Sequence, residues 1–183
     1  VSRSSVDAGD QILIAARSSQ EIDAFVAASA LAAALGGGAA VGVAATGSFS
    51  SNSITANVRA FSDESQLSGG RIAINASDIS KIDAFTGAAG LSVALGGGAA
   101  VAVSMSVSVA KNEVRSNVAA YANESILTSR LGDIDISAEQ KATIDADVYS
   151  AAIAVAVGGG AGVGVSGGGA IAKNIIYGDT TAR

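Results

Sequence analysis

The side chains that most often carry out catalysis are missing from this chain, which has no histidine and no cysteine among its 183 residues. Imidazole bases, thiol nucleophiles and the usual nitrogen and sulfur metal ligands are therefore absent. Two carboxylate pairs remain, Asp63 with Glu64 and Asp133 with Asp135. They fall in turns or alternate along a strand, where solvated surface groups are expected rather than an acid–base couple. The sequence predicts no catalytic residue, and we expect the chain not to be an enzyme.

Glycine triplets occur three times and could suggest phosphate-binding loops. No Gly-Lys-Ser/Thr follows them, and none of them opens a helix in a G-x-G-x-x-G pattern. Glycine reaches positive φ freely and lets neighbouring backbones approach closely, so we interpret the triplets as corners between strands. The predicted corner glycines are Gly36, Gly37, Gly38, Gly96, Gly97, Gly98, Gly158, Gly159 and Gly160.

One asparagine follows each triplet at a nearly constant distance, at Asn52, Asn112 and Asn174. Asparagine can bond its own backbone and tolerates left-handed geometry, so these residues are predicted to lie in a turn after the longest strand. A ligand-binding role is the alternative. If consecutive repeats stack in register, the three side chains should lie in line along the axis.

The sequence consists of three similar tandem repeats. The segments that begin EIDAF at Glu21, KIDAF at Lys81 and TIDAD at Thr143 are separated by 60 and then 62 residues. A period of this length is typical of repeat architectures. We divide the chain into repeats 1–60, 61–120 and 121–183, which form one continuous segment over 1–183.

The two ends of the chain fall at equivalent points of the repeat. Arg183 aligns with Ala60, and Val1 aligns with Phe61. A finished repeat protein normally has atypical terminal repeats. The sequence therefore suggests a stretch of a longer array, or a unit that joins head to tail.

Alternation of small and branched residues indicates β-structure. The segment 101–109 reads VAVSMSVSV, a strict period of two. We expect its small residues to form a flat outer packing face. That predicted small-residue row consists of Ala102, Ser104, Ser106 and Ser108.

Further strand patterns, each after a glycine turn, complete the fold prediction. Within the second repeat they suggest about three rungs of roughly twenty residues, 71–90, 91–112 and 113–130. A shift in the apolar phase before Leu31, Leu91 and Ile153 suggests a bulge or corner there. We predict an all-β parallel β-solenoid of three repeats with about three rungs each.

Composition excludes some partners. The net charge is −5 and the eleven basic residues are scattered, which argues against nucleic-acid binding. No cofactor is expected. Calcium at Asp10, Asp133 and Asp135, near glycine turns, is the one metal considered, but the calcium-binding solenoid motif G-G-x-G-x-D is absent.

Three uncharged stretches, 24–58, 84–110 and 148–172, are long enough to cross a bilayer as helices. A membrane-embedded repeat is therefore a third hypothesis. The central glycines, the valine–serine alternation and the lack of tryptophan or basic anchors argue against it.

The rhythm of a glycine turn, I-x-I-x-A, I-D-A, a valine-rich centre and an asparagine resembles repeats of large bacterial haemagglutinin-like surface adhesins. The resemblance covers nearly the whole chain. It implies a right-handed parallel β-helix at the cell surface or in the medium, acting as stalk, adhesin or fibre.

The leading hypothesis is therefore an extracellular structural segment that forms a stalk, fibre or sheath and associates with itself end to end or side by side. The alternative is a flat face that binds an extended surface such as a glycan, a polysaccharide or ice. Ranks of threonine, which ice binding favours, are weak, because Thr46 aligns with Ser106 and with no threonine in the third repeat.

Overall fold

The computed structural model describes all residues from 1 to 183 and contains nine strands and no helix. The strands are β1 (Ser5–Asp7), β2 (Gln11–Gly36), β3 (Ala40–Asp63), β4 (Gln66–Gly69), β5 (Arg71–Gly96), β6 (Ala99–Asn123), β7 (Ile126–Ser129), β8 (Ile134–Gly158) and β9 (Ala161–Ala182). They form three parallel sheets, in the orders β1-β4-β7, β2-β5-β8 and β3-β6-β9. This confirms the prediction of an all-β parallel β-solenoid of three repeats.

Each repeat makes one coil of the solenoid, built from two long strands and one short strand. Along the whole of β2 and β5, every residue pairs with the residue 60 positions later, from Gln11 with Arg71 to Gly36 with Gly96. The pairing of β5 with β8 spans 62 positions, because Arg130 and Leu131 are inserted at the corner between β7 and β8. The insertion lies outside the long strands and leaves their register intact. The alignment of the chain ends made from the sequence is wrong by one residue, because Ala182 rather than Arg183 lies in register with Ala60, and the first residues pair 61 positions later, as Ser5 does with Gln66.

The prediction of about three rungs per repeat is wrong, because segments 71–90, 91–112 and 113–130 do not stack on one another. Strand β5 runs unbroken through the first boundary and β6 through the second. Neighbouring strands lie about 4.8 Å apart, so each repeat advances the axis by about 4.8 Å instead of the roughly 14 Å that three rungs would give.

The predicted bulge before Leu31, Leu91 and Ile153 is also absent, since the pairing of β2, β5 and β8 has no interruption. The apolar phase shifts for a different reason. In the first half of β2 the large apolar residues face inward, as Ile22 does. In the second half the large apolar residues face outward, as Leu31 does. The backbone keeps its alternation while the apolar residues change face.

The cross-section is a flat wedge. The two long sheets face each other, and at about 3.3 Å per residue the 26 residues of β2 make the wedge about 85 Å wide. The sheet of β1, β4 and β7 closes one edge, which we call the wide edge. The glycine triplets close the other, which we call the narrow edge.

Large aliphatic side chains fill the interior near the wide edge, where Ile74, Val118 and Leu67 are almost fully buried. Near the narrow edge the core cluster consists only of alanines, including Ala94 and Ala102. Small side chains are required there because the two sheets approach closely. A Cβ added to Gly42 would lie 3.0 Å from the carbonyl oxygen of Val93 in the opposite sheet.

The left-handed backbone positions are not glycines. No glycine has a positive φ, whereas Arg3, Glu64 and Glu124 do, with φ of 47°, 45° and 46°. These three residues occupy the same corner in successive coils, between the long sheet that contains β3 and the short sheet. The corner carries no glycine or proline, the usual sequence signals of a sharp turn, and was not predicted.

Candidate functional site

The glycine triplets lie at the narrow edge, between β2 and β3 and at the equivalent turns of the later coils. Their role in the structure is close approach between coils rather than unusual φ. A Cβ on Gly97 would overlap the carbonyl oxygen of Gly37, and one on Gly159 would lie 2.5 Å from that of Gly97. The turns are bonded to one another along the axis, since Gly97 N donates to Gly36 O at 3.0 Å.

The predicted turn asparagines are not in turns. Asn52, Asn112 and Asn174 lie inside β3, β6 and β9, with Asn112 fully buried. They stack in line, as in-register repeats require: Asn52 Nδ2 donates to Asn112 Oδ1 at 2.8 Å, and Asn112 Nδ2 donates to Asn174 Oδ1 at 2.9 Å. An amide carries a donor and an acceptor, so it can bond identical neighbours on both sides. We call this row the asparagine ladder.

The small-residue row predicted to form an outer packing face points inward instead. Ala102, Ser104 and Ser108 are fully buried, and Ser106 is only 1% exposed. The predicted alternation is confirmed, but the prediction that the small residues face outward is wrong, and the valines occupy the outer side. The close approach of the two sheets leaves room inside only for the smaller side chains.

Hydrogen bonds between the sheets satisfy much of this polar interior. Ser106 Oγ donates to the carbonyl oxygen of Ala88 at 3.0 Å and lies 2.6 Å from Ser150 Oγ. Ser108 Oγ donates to the carbonyl oxygen of Tyr149 at 2.5 Å. The hydroxyls of Ser92 and Ser104 have no protein partner. The narrow half of the wedge is thus held partly by serine hydroxyls rather than by large apolar side chains.

Large apolar residues cover both outer faces of the narrow half, which sequence reasoning missed. We call these surfaces the two apolar faces. The signal that could have revealed them is the change of apolar phase within each long strand. One face, on β2, β5 and β8, carries Phe25, Leu31, Leu35, Leu91, Leu95, Tyr149, Ile153, Val155 and Val157; the other, on β3, β6 and β9, carries Val41, Val43, Phe49, Met105, Val107, Val163, Val165 and Ile171.

Charged residues occupy the outer surface of the wide half. Asp23, Asp83 and Asp145 pair in register and form a carboxylate row. Lys81 donates to Asp83 and to Glu21 Oε1, the latter at 3.1 Å. These hydrogen bonds, that of Asp83 first, raise the pKa of Lys81 above its ordinary value. The row is therefore partly neutralised by a lysine from the same chain.

The carboxylates of Glu21, Asp23 and Asp83 are the one group whose oxygens are close enough to share a cation. They are solvent-accessible, and Lys81 already pairs with two of them. The residues considered for calcium from the sequence, Asp10, Asp133 and Asp135, do not form such a group. They lie near the corner that precedes β2 and β8, with their side chains exposed.

Aromatic rings stand next to the carboxylate row. Phe25 and Phe85 stack with centroids 4.9 Å apart, and the ring of Tyr149, which is in register with Gly87, lies tilted against Phe85 at 5.6 Å. Rings stacked along the axis turn their edges to solvent. The available chemistry on this surface is therefore hydrogen bonding by carboxylates beside a narrow apolar ridge.

One ionisable side chain is buried without a counter-ion. Asp78 is fully buried in the second coil, and its Oδ2 accepts hydrogen bonds from Ser80 at 2.8 Å and Ser116 at 2.7 Å. Its Oδ1 has no partner. The first and third coils have Ser18 and Gln140 at this position, so the carboxylate belongs to one coil only.

The two carboxylate pairs noted from the sequence do not form acid–base couples. Asp63 Oδ1 accepts a hydrogen bond from Asn123 at 2.7 Å, and Glu64 forms an ion pair with Arg3 at 3.0 Å. Asp133 and Asp135 lie around the start of β8, on the exposed edge of the third coil. Neither pair is enclosed in a cleft.

No helix capable of crossing a membrane is present, and the three long uncharged stretches are strands. Comparison with family models, with curated proteins and with solved structures found no match to this chain.

Proposed function

We propose that this chain is a structural segment of an extracellular or cell-surface bacterial β-solenoid that forms a stalk, fibre or sheath by association with itself. One observation carries the proposal: each coil repeats the cross-section of the coil before it, residue for residue, over 26 paired positions in β2 and β5 alone. A cross-section that repeats in this way can be extended along its axis without a change of structure. Among the site residues in the interior, the asparagine ladder, Ser106 and Ser108 bond to other groups of the chain.

Extension along the axis is supported by the edges of the outer coils. Strands β2 and β3 at one end, and β8 and β9 at the other, each have one neighbour in their sheets. Such edges offer unpaired backbone groups to another strand. A further coil with the same residue pattern fits them in register.

Association side by side is supported by the apolar faces, which replace the small-residue row in this role. Leu31 is 72% exposed and Leu35 is 79% exposed, and no charged residue lies among their outer neighbours. Large contiguous apolar patches are typical of interaction surfaces. Over three coils one face measures about 36 by 14 Å, at the small end for a stable interface, so lateral pairing should strengthen as the solenoid lengthens.

Sedimentation velocity and electron microscopy over a range of concentrations test the proposal. We expect concentration-dependent rods whose long axis is the solenoid axis, with bundling of longer rods. A chain that stays monomeric at every concentration would overturn it.

The lateral contact has its own test. Replacing Leu31, Leu91 and Ile153 by serine should abolish bundling while rods persist. The matched control is Ile79→Ser, which removes an exposed apolar residue of β5 in the charged half and should leave bundling unchanged. Equal bundling of both variants would contradict the assignment of the apolar face.

A second candidate function is the binding of an extended glycan along the carboxylate row. Asp23, Asp83 and Asp145 repeat in register, with the stacked Phe25 and Phe85 beside them. Carboxylates at this spacing can accept hydrogen bonds from successive hydroxyls. Binding on a glycan array that is lost in Asp83→Asn would support this function, and an array without binding would contradict it. Ice binding has no comparable support, because Thr46 faces the interior.

A further inference from the structure

The two ends of the solenoid differ chemically. We call the outward edge of β1, β2 and β3 the first end face and the outward edge of β7, β8 and β9 the last end face. Positions that pair in register between coils can be followed from one end face to the other. The residues at the two ends of each such row show which contacts a stacked second copy would make.

Two rows reverse their charge between the ends. One row runs from Arg3 through Glu64 to Glu124, with an ion pair of 3.0 Å between the first two residues. Glu124 has no ion pair in the chain. The first end face thus presents an arginine where the last end face presents a glutamate.

The second row runs through Arg17, Ser77 and Glu139, on the outer surface of the other long sheet. Arg17 and Glu139 are exposed, and neither has a charged partner. Stacking the last end face on the first would bring both rows to an acid–base contact about 4.8 Å from strand to strand.

The asparagine ladder is directional in the same sense. Asn52 donates toward Asn112 and keeps Oδ1 as a free acceptor, whereas Asn174 accepts from Asn112 and keeps Nδ2 as a free donor. Stacked in the same order, Asn174 would donate to Asn52 of the next copy. The reverse order, or two like ends together, would not complete this bond.

Apolar rows also match at the two ends. Ile12 begins a buried row that ends at Ile134, and Ile22 begins one that ends at Ile144. A second copy would therefore place like residues on like residues in the interior.

We propose that the last end face docks head to tail on the first end face of a second copy of this chain, with Glu124 against Arg3, Glu139 against Arg17, and Asn174 against Asn52. This inference rests on the proposed function, since it identifies the contacts that carry association along the axis. The charges select polarity and register, while the backbone ladders and buried rows supply most of the contact.

The size of this contact suits a stable interface. A wedge about 85 Å wide and about 10 Å thick has a cross-section of about 850 Å², near the 800 Å² per partner of a standard interface. Ninety-nine backbone hydrogen bonds lie within the strands, about 50 for each of the two junctions between coils. A fully registered junction between copies would form a similar number.

Charge reversal at opposite ends gives the decisive experiment. The first variant carries Glu124→Arg and Glu139→Arg, so both of its end faces present arginines at these positions. The second carries Arg3→Glu and Arg17→Glu, so both present glutamates. All four residues are exposed, and circular dichroism and thermal unfolding check that the folds are unchanged.

At low salt we expect each variant alone to associate end to end at least tenfold more weakly than wild type, because two like-charge contacts replace two attractive ones. An equimolar mixture should recover rods in which the variants alternate. Association of either variant alone as strongly as wild type, or failure of the mixture to recover, would overturn the inference. If wild type itself does not associate, the proposed function fails, which is a different result.

A steric variant tests the same junction without charge. Gly37 has no atom within 4 Å of an added Cβ, but in a stacked copy it would meet Gly159 as Gly159 meets Gly97 at 2.5 Å. Gly37→Ala should therefore fold as wild type and lose end-to-end association. Gly167→Ala, equally unobstructed but on the outer face of β9, is the control and should associate normally. Normal association of Gly37→Ala would also overturn the inference.

Discussion

Asn112 donates a hydrogen bond from Nδ2 to Oδ1 of Asn174 at 2.9 Å, across the junction between the second and third coils. Both residues occupy the same position of the repeat. A slip of one residue would turn every side chain of the strand to the other face, so a buried bond between equivalent residues favours a single register. An aspartate at this position would stack carboxylates, which carry no donor to bond their neighbours.

Loss of the central amide should cost stability. Asn112→Ala removes the bonds to Asn52 and Asn174 and leaves their groups without a partner, at an expected cost of about 2–3 kcal/mol in the free energy of unfolding. Denaturation by urea, followed by circular dichroism, measures it. Asn117→Ala, on the exposed face of the same strand, is the control and should change stability by less than about 0.5 kcal/mol. Equal losses of stability in the two variants would show that the asparagine ladder does not stabilise the chain.

The class of fold could be predicted from the sequence because both of its signals are local. Alternation of the kind seen in 101–109 indicates strands, and the constant spacing of the glycine triplets indicates parallel stacking of repeats. The number of rungs could not be predicted in the same way. A break in apolar phase has the same appearance whether the chain bends or the apolar side changes, and only the pairing of β2 with β5 distinguishes the two.

The placement of candidate site residues depended on which side of each strand lies inside. For Ser104 and Ser106 hydrophobicity gave the wrong side, because at the narrow edge space rather than polarity determines what is buried. The asparagines were misplaced because asparagine is common in turns, whereas the actual turn residues, Glu64 and Glu124, are rarely found with positive φ. Their alignment along the axis was nevertheless predicted correctly.

The close approach at the glycine turns predicts a contrast between equivalent glycines. Gly97→Ala places a Cβ against the carbonyl oxygen of Gly37 and should destabilise the chain by about 2–3 kcal/mol, since backbone must move. Gly37→Ala meets nothing and has no positive φ, so under monomeric conditions its stability should equal or slightly exceed wild type. Thermal unfolding at low concentration compares them. A similar loss in both variants would mean that glycine is needed for the turn itself.

The narrow interior predicts another contrast, between neighbours on one strand. Ala102 is fully buried among alanines, and Ala102→Leu should destabilise the chain by about 3 kcal/mol through overpacking. Val103→Leu, on the outer face, should stay within about 0.5 kcal/mol of wild type. Urea denaturation of both variants gives the comparison. If Ala102→Leu were tolerated and Val103→Leu were disruptive, the valines would face the interior, as the sequence suggested.

The charge of Lys81 predicts a dependence on pH that is confined to alkaline solution. Hydrogen bonds to Asp83 and Glu21 raise the pKa of Lys81 above its ordinary value of 10.5 in the folded chain. Its stabilising contribution is therefore complete below pH 10.5 and is lost as the pH rises toward the raised folded value, because the unfolded chain releases this proton first. The difference in Tm between wild type and Lys81→Gln should be constant from pH 6 to about pH 9 and should shrink above about pH 10.5. Since the side chain is solvent-exposed, added salt should reduce the difference at every pH. A difference that already changes between pH 6 and about pH 9 would contradict the assignment to Lys81, because neither the folded nor the unfolded chain releases this proton in that range.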